Sequence, residues 1–201
     1  MNYEIRPPLP EEALEWEKLR MVSWREAYAG TFTPEMFAKQ DAQLQARATG
    51  FAEWIDGTGG TGEDVQPRLG QRRRALVAAR PALALPTLAE SPAALEEDSA
   101  LLAAGGTALA APPETSPLLG LAFASQMPYD VQKLEMLYLH PEAFGTGVAQ
   151  ALLGRILDAG PAELEVLTTN ARAIRFYEKE GFTIASTDEF AGRKSYIMTR
   201  P

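Results

Sequence analysis

The sequence predicts an α+β fold in which helices flank a central mixed β-sheet. Short apolar stretches typical of strands are interspersed with longer amphipathic stretches typical of helices. Two strand–helix units follow one another between residues 133 and 182, which predicts parallel neighbouring strands. The chain then ends in two short strands that predict a hairpin. The expected order is β-α-α-β-β-β-α-β-α-β-β, and 201 residues suit a single domain over 1–201.

The N-terminal elements have recognisable start signals. Tyr3–Arg6 reads as a first strand, closed by two prolines. A helix is expected from Pro10 to Tyr28, because a proline and an acidic first turn favour a helix start. Thr33 is a candidate N-cap for further helical segments over 34–48 and again near 51–55.

The middle of the chain combines a strand with an unusual insertion. Residues 57–62 are glycine-rich and predict a loop, and residues 72–79 read as a strand with a basic start. Residues 81–117 hold six prolines, eleven alanines and five acids, without Lys, Arg or an aromatic residue. This composition predicts an insertion with one short helix near 93–104. The insertion is either decoration or a lid over a binding site.

The C-terminal half predicts regular alternation of strands and helices. An apolar stretch at 118–125 is continuous enough for a central strand. The elements expected after it are strand 133–139, helix 148–159, strand 164–167, helix 171–180 ended by Gly181, and hairpin strands 183–186 and 194–199.

Composition excludes several classes of protein. The net charge of −8 argues against nucleic acid and anionic membranes as partners. It favours a cationic acceptor, although a solvated acidic surface explains it equally. The chain has no cysteine and one histidine, His140, so we expect no metal site and no Ser-His-Asp triad. Without a signal peptide or an apolar run of ~20 residues, a cytoplasmic protein is expected.

A glycine-containing turn at residues 144–150 is the strongest local signal for a ligand. It joins a strand directly to an amphipathic helix, so several backbone N–H groups and a helix N-terminus point to one place. Such a place suits a phosphate or pyrophosphate, although a tight turn without a ligand has the same sequence. No Gly-Lys-Ser/Thr follows, and Gln150 occupies the position of the third glycine in a dinucleotide fingerprint.

Two spaced motifs together resemble motifs A and B of the GNAT superfamily of acetyl-CoA-dependent N-acetyltransferases. Residues 137–153 resemble its strand and pyrophosphate loop, and 170–182 resemble its Asn-x-x-Ala-x-x-Phe-Tyr-x-x-x-Gly-Phe signature. Residues 23–28 resemble a first-helix sequence frequent in bacterial members. The likeness covers about residues 1–80 and 118–199. Two positions depart from the pattern: Phe144 replaces the usual Arg or Gln, and Ala149 replaces the last glycine.

The resemblance implies a GNAT-like fold with a splayed central sheet and a binding site for acetyl-CoA. The strand at 137–139 would pair with the pantetheine arm, and a backbone N–H near Leu139 would polarise the acetyl carbonyl. The pyrophosphate would lie on the N–H groups of the glycine turn. The cofactor-binding residues implied are Leu137, Tyr138, Leu139, Phe144, Gly145, Thr146, Gly147, Val148, Ala149, Gln150 and Asn170.

The resemblance also implies a catalytic pair. Tyr177 matches the position of the general acid that protonates the leaving thiolate, although it could equally be an aromatic packed beside Phe176 with its hydroxyl at the surface. Glu135 is the candidate base. Strand alternation would place it on the same face as Leu137 and Leu139. An ion pair with a nearby arginine is the structural alternative for this carboxylate.

The first helix supplies the expected acceptor-binding residues Trp24, Arg25 and Tyr28. Trp24 and Tyr28 lie four residues apart on one helix face, which is either core or pocket wall. Arg25 would bind a carboxylate of the acceptor, or else form a surface salt bridge with Glu26 or Glu35.

The predicted function is direct acetyl transfer from acetyl-CoA to a primary amine, without a metal or a covalent enzyme intermediate. The amine would belong to a small molecule or a peptide, and a homodimer is possible by analogy with the fold. Two alternatives remain: a non-catalytic acyl-CoA-binding sensor, and a protein-interaction domain that uses the insertion as its arm.

Overall fold

The fold is a mixed sheet with helices on both faces, seen in a computed structural model that describes residues 2–57, 73–81 and 116–201. The described residues form seven strands in the order β1-β2-β3-β4-β5-β7-β6. The strands are β1 Glu4–Arg6, β2 Arg73–Ala79, β3 Leu118–Gln126, β4 Gln132–Leu139, β5 Ala162–Leu167, β6 Thr183–Phe190 and β7 Arg193–Arg200. The α-helices are α1 Ala13–Tyr28, α2 Pro34–Ala42, α3 Leu44–Asp56, α4 Val148–Ile156 and α5 Ala171–Lys179.

The parallel pair expected at the centre of the sheet is formed by β4 and β5. It is short, because the pairing runs only from Gln132↔Ala162 to Leu134↔Leu164. Beyond Leu134, β4 continues to pair with β3 alone, and β5 continues with β7 alone. The two strands therefore diverge, and each keeps one backbone edge without a strand partner. This confirms the predicted mixed, splayed sheet.

A β-bulge on β4 lies at the same point. Phe123 of β3 is opposite Met136, and the next residue, Ala124, is opposite Leu134. Glu135 is therefore the extra residue of the bulged strand, which shifts the alternation of side chains beyond it.

Two hydrophobic layers cover the two faces of the sheet. On one face, α4 and α5 pack over a cluster that includes Leu152, Phe182 and the cavity-facing Leu137. On the other face, α1 and α3 bury Trp16 against the sheet, and Tyr138 packs on this side. The face of a β4 residue therefore decides which helices its side chain meets.

Most element bounds agree with the predictions within a few residues. The region 34–56 differs more, because it contains two helices that break at Gln43 rather than near residue 49. The helix α4 ends at Ile156, three residues before the predicted end. Gly181 has φ 86° after α5, as expected for a left-handed helix end. The loop beyond Gly57 and nearly all of the insertion at 81–117 lie outside the described residues.

Candidate active site

The largest cavity found around the described residues, of about 610 Å³, opens beside the glycine turn. We call it the glycine-turn cavity. The turn and the start of α4 form one side, β4 contributes Leu137 and Leu139, and α5 forms a wall from Asn170 to Lys179. Ser23 and Ala27 of α1 close the remaining side.

The glycine turn presents unpaired backbone donors to this cavity. Gly145 and Gly147 have φ of 73° and 86°, in the region that favours glycine, and a Cβ on either would meet nothing within 4 Å. The N–H groups of residues 148–150 precede the first hydrogen bond within α4, so the helix gives them no acceptor. The N–H of Thr146 is different, since it donates to the carbonyl of Ala143 at 3.3 Å. An open cradle of N–H groups fits a pyrophosphate, as predicted.

The α5 wall of the cavity carries positive charge. Arg172 places its guanidinium carbon 4.0 Å from the centre of the Phe144 ring. It also forms a bidentate ion pair with Glu26 of α1, in which Nη1 lies 2.8 Å from Oε1. Arg175 and Lys179 line the same wall.

The strand β4 contributes both side chains and backbone. Leu137 and Leu139 face the glycine-turn cavity. The Ser23 hydroxyl donates to the Leu139 carbonyl at 2.7 Å and so fixes α1 against the end of β4. The remaining backbone edge along 135–139 has no strand partner and suits an extended, amide-rich ligand arm.

A second cavity, of about 340 Å³, lies on the other face of the sheet. It contains two carboxylates, those of Glu135 and Glu165, and we call it the carboxylate cavity. They occupy equivalent positions just beyond the last paired residues of β4 and β5. Ser125 Oγ donates to Glu135 at 2.8 Å, and Ser195 Oγ donates to Glu165 at 2.6 Å. Neither carboxylate forms an ion pair within the described part of the chain. The walls combine aromatic and aliphatic side chains with polar ones, among them Lys133 and Arg20.

A narrow cavity of about 80 Å³, the throat, lies between the two larger ones at the point where β4 and β5 diverge. It shares Leu137, Asn170 and Tyr177 with the glycine-turn cavity. It shares Glu135 and Tyr138, among others, with the carboxylate cavity. The throat therefore borders both larger cavities in the gap between the splayed strands.

Three tyrosines surround the throat and are held in their neutral form. Burial raises the pKa of Tyr138 to about 12. Burial likewise raises the pKa of Tyr177 well above its ordinary value, and the neighbouring Tyr28 and Tyr138 raise it further. The pKa of Tyr28 is raised by burial, while a hydrogen bond with Asn170 opposes that shift. All three phenols are therefore proton donors, and not bases, near neutral pH.

Tyr177 combines a packed ring with a hydroxyl that reaches the throat. Only 8% of the residue is exposed, and the ring packs against Phe176 and Phe182 at centroid distances of 5.2 and 5.8 Å. The hydroxyl makes no hydrogen bond to any other described residue. The packed-aromatic interpretation is thus correct for the ring, but the hydroxyl lies at the throat and not on the outer surface.

Asn170 connects the throat to the start of α5. Its Oδ1 accepts from Ala173 N at 3.1 Å and caps the helix. Its Nδ2 lies 3.4 Å from the Tyr28 hydroxyl. The side-chain oxygen is therefore occupied, and only the amide nitrogen remains directed to the throat.

The structure corrects the predicted face of Glu135. Because of the bulge, this side chain faces the carboxylate cavity, whereas Leu137 and Leu139 face the glycine-turn cavity. Tyr138 also faces the carboxylate cavity, so only its backbone is near the other side. Among the described residues the hydrogen-bonding partner of Glu135 is Ser125, and no arginine pairs with it.

The other predicted residues divide between site and scaffold. Trp24 and Tyr28 both line the carboxylate cavity, and Trp24 is at the same time a core residue, 9% exposed. Arg25 is exposed and pairs with Asp41, so it lies away from the cavities and has neither of the partners expected for it. Val148 is fully buried, so only its N–H can serve the turn.

Sequence reasoning missed Glu165 and the α5 cations. Glu165 could have been found from its position, because it is the residue of β5 equivalent to Glu135 once the two strands are aligned. Arg172 gave no local signal, since its contact with Phe144 joins segments that are distant in sequence.

Two further searches are confined to the described residues. No group of three or more His, Asp or Glu side chains there could hold a metal ion. None of the helices there is long and apolar enough to span a membrane.

Comparisons with known proteins agree with this geometry. Residues 114–184 match the family model described as acetyltransferase (GNAT) domain. No curated protein has a significant match to the sequence.

Solved structures of similar fold span the whole chain. The PaiA N-acetyltransferase of Thermoplasma acidophilum, in complex with coenzyme A, is 18% identical, with a TM-score of 0.58 over 100% of this chain and 99% of that one. A GCN5-related N-acetyltransferase from Rhodopseudomonas palustris is 18% identical, with a TM-score of 0.55 over 100% and 96%. NAA60 of Arabidopsis thaliana, in complex with a bisubstrate analogue, is 13% identical, with a TM-score of 0.53 over 99% and 98%.

At these identities the structural likeness shows the fold alone, and the sequence match is confined to residues 114–184. The chain therefore has the GNAT fold, and its residues 114–184 are similar to the GNAT acetyltransferase domain, as the two motifs indicated.

Proposed function

We propose that the protein transfers an acetyl group directly from acetyl-CoA to the primary amine of a small molecule or a peptide. The observation that carries this proposal is the throat, which connects a cavity suited to an acyl-CoA with a cavity that holds carboxylates. A ligand arm from one side and an amine from the other would meet between β4 and β5.

The donor side is supported by the fit of an acyl-CoA to the residues present. The N–H groups of residues 147–150 would receive the pyrophosphate, and the free edge of β4 would pair with the pantetheine arm. A backbone N–H near Leu139 would stabilise the oxyanion, a contribution of about 3–4 kcal/mol in well-studied sites. The acetyl carbon would then lie at the throat.

On the acceptor side, Glu135 is proposed to take a proton from the ammonium, directly or through one water. The amine nitrogen then forms a bond to the acetyl carbon, and the carbon–sulfur bond breaks. Glu135 is suited to this step because its side chain faces the carboxylate cavity. The hydrogen bond that Ser125 donates to it orients the carboxylate. The aromatic and aliphatic residues of the wall, such as Trp24 and Met136, would hold the carbon chain of the amine.

Tyr177 is proposed to give its proton to the departing sulfur, and the second proton that the attacking nitrogen loses returns the tyrosinate to its neutral form. Its hydroxyl is neutral, has no competing partner among the described residues, and reaches the throat. No covalent enzyme intermediate is required, since the throat allows both substrates to be present together. A homodimer stays part of the proposal by analogy with the fold, and a cytoplasmic location stays an expectation from the sequence.

The test is a calorimetric titration with acetyl-CoA of the wild type, Gly147→Trp and Gly192→Trp. Both glycines have positive φ, 86° and 72°, and open surroundings, so the two variants carry matched backbone strain. Only Gly147 lies in the turn. We expect micromolar binding that Gly147→Trp abolishes and Gly192→Trp preserves.

Turnover is then measured by the release of free thiol across a panel of alkylamines, amino acids and peptides. The protein contributes no background because it has no cysteine. A folded wild type that does not bind acetyl-CoA would refute the proposal. Binding without turnover of any amine would instead favour a non-catalytic acyl-CoA-binding module.

A further inference from the structure

The contact between Arg172 and Phe144 joins two segments that the sequence treats separately. The guanidinium carbon of Arg172 lies 4.0 Å from the centre of the Phe144 ring. An arginine above an aromatic face at this distance is held by a cation–π attraction. Phe144 immediately precedes the glycine turn, so this contact brings a positive charge to the place where the turn begins.

The positive charge continues along α5. Arg172, Arg175 and Lys179 are spaced three and four residues apart, so they share one face of the helix. All three are exposed side chains that line the glycine-turn cavity. Within the described part of the chain, Arg175 and Lys179 form no hydrogen bond or ion pair, so their charges are not compensated by a protein group.

This distribution of charge is unusual for the chain as a whole. The protein has a net charge of −8, which would repel a polyanionic ligand. Three cations on one wall of the glycine-turn cavity therefore create a local exception. In a chain of this composition, three cations that face one cavity, two of them without an ion pair among the described residues, point to an anion as the occupant.

We infer that the cationic face of α5, formed by Arg172, Arg175 and Lys179, is the counter-charge for the phosphates of the acyl-CoA donor. Arg172, seated on Phe144, takes over the role of the Arg or Gln that usually occupies position 144. This inference rests on the proposed function, because it assumes an acyl-CoA in the glycine-turn cavity. It assigns the charge to α5 rather than to the turn.

The ion pair with Glu26 gives the inference a second consequence. The carboxylate of Glu26 accepts hydrogen bonds from both terminal nitrogens of Arg172. A phosphate would compete with this carboxylate for the same donors. Removal of Glu26 should therefore free Arg172 for the ligand, whereas removal of Arg172 should deprive the ligand of a partner.

The experiment measures the dissociation constant of CoA by calorimetry for the wild type, Arg172→Gln and Glu26→Gln. Lys39→Gln, on the exposed side of α2 and away from the cavities, is the charge-matched control. We expect roughly 10-fold weaker binding for Arg172→Gln, unchanged or tighter binding for Glu26→Gln, and no change for Lys39→Gln. The salt dependence of binding between about 50 and 500 mM NaCl should also be smaller for Arg172→Gln.

Two further variants test the other parts of the inference. Phe144→Leu alone should weaken CoA binding, because the ring acts by holding the guanidinium of Arg172. The double variant Phe144→Leu/Arg172→Gln should bind CoA no more weakly than Arg172→Gln alone. Arg175→Gln is titrated with CoA and with dephospho-CoA. A loss for both ligands assigns Arg175 to the diphosphate, and a loss for CoA alone assigns it to the 3′-phosphate.

The outcomes separate this inference from the proposed function. If the wild type does not bind CoA, the proposed function is refuted, and the inference that rests on it is refuted as well. If the wild type binds but Arg172→Gln binds equally well with the same salt dependence, only the inference fails. Equal weakening by Glu26→Gln and Arg172→Gln would overturn it as well, because it would show that the ion pair merely supports α1 against α5. Thermal unfolding of each variant confirms that it is folded.

Discussion

Tyr177→Phe is the substitution that most directly tests the chemistry at the throat. It removes one hydroxyl and keeps the ring that packs against Phe176 and Phe182. Because that hydroxyl has no hydrogen-bonding partner in the described chain, its loss leaves no group unsatisfied. We therefore expect the free energy of unfolding to change by less than about 0.5 kcal/mol, as for a substitution that breaks no contact.

The expected effect on catalysis follows from the proton affinities. A thiol has a pKa near ~8.5, whereas the phenol of Tyr177 is held well above ~10, so proton transfer to a fully formed thiolate is uphill by at least about 2 kcal/mol. General acid catalysis usually raises the rate by 10²–10⁴-fold. The phenol is a weaker acid than the thiol that it would form, so its contribution belongs at the lower end of this range. We expect kcat to fall by about 10²-fold, or about 2.7 kcal/mol, with the Kd of acetyl-CoA unchanged.

The assay is thiol release under saturating acetyl-CoA, combined with calorimetry and thermal unfolding of the same preparation. A kcat within about threefold of the wild type, in a folded variant with unchanged cofactor affinity, would show that Tyr177 does not supply the proton. A parallel loss of cofactor affinity would also contradict the reasoning, because the hydroxyl should act only as the bond to sulfur breaks.

Three other predictions concern the base, the core and alkaline pH. Glu135→Gln should lower kcat/KM by about 10²-fold in thiol-release assays, whereas Glu165→Gln should mainly raise KM. The reverse pattern would make Glu165 the base and Glu135 a residue that only helps to bind the amine. Gly120→Ala should lower the free energy of unfolding by about 1–3 kcal/mol in urea titrations, because the new Cβ would lie 2.8 Å from a leucine methyl of α4. An unchanged urea midpoint would mean that α4 can shift to make room. The pKa values of Tyr138 and Tyr177 are raised in the folded protein, so the unfolded chain loses these two protons at a lower pH. The stabilisation from the two neutral phenols is therefore fully present below pH ~10. Toward pH ~12 the free energy of unfolding should fall by up to about 1.4 kcal/mol per pH unit for each tyrosine. In Tyr177→Phe, pH-dependent thermal unfolding should show a shallower alkaline decline.

Features with a local cause could be predicted from the sequence. Gly145, Gly147 and Gly181 adopt positive φ because the turn and the helix end require it, and glycine alone does so without strain. The mixed sheet followed from the order of the elements and from the two strand–helix units. These signals lie within a few residues of the features that they predict.

Features with a tertiary cause could not be predicted. The face of Glu135 depends on a bulge, and the bulge depends on how β4 pairs with β3, which no pattern within β4 itself reports. The partner of Arg25 is Asp41 on another helix. The contact of Arg172 with Phe144 likewise requires α5 to be packed beside the glycine turn. In each case the neighbour that decides the residue's role belongs to another segment of the chain, which a local pattern does not report.

The throat joins openings on opposite faces of the sheet, and this has a kinetic consequence. Each substrate has its own route, so neither has to leave before the other arrives. Double-reciprocal plots of initial velocity should therefore intersect rather than run parallel. Each product can also leave through its own opening, so a high concentration of the acceptor should not prevent the release of CoA. A single compound that extends through the gap would block both routes at once.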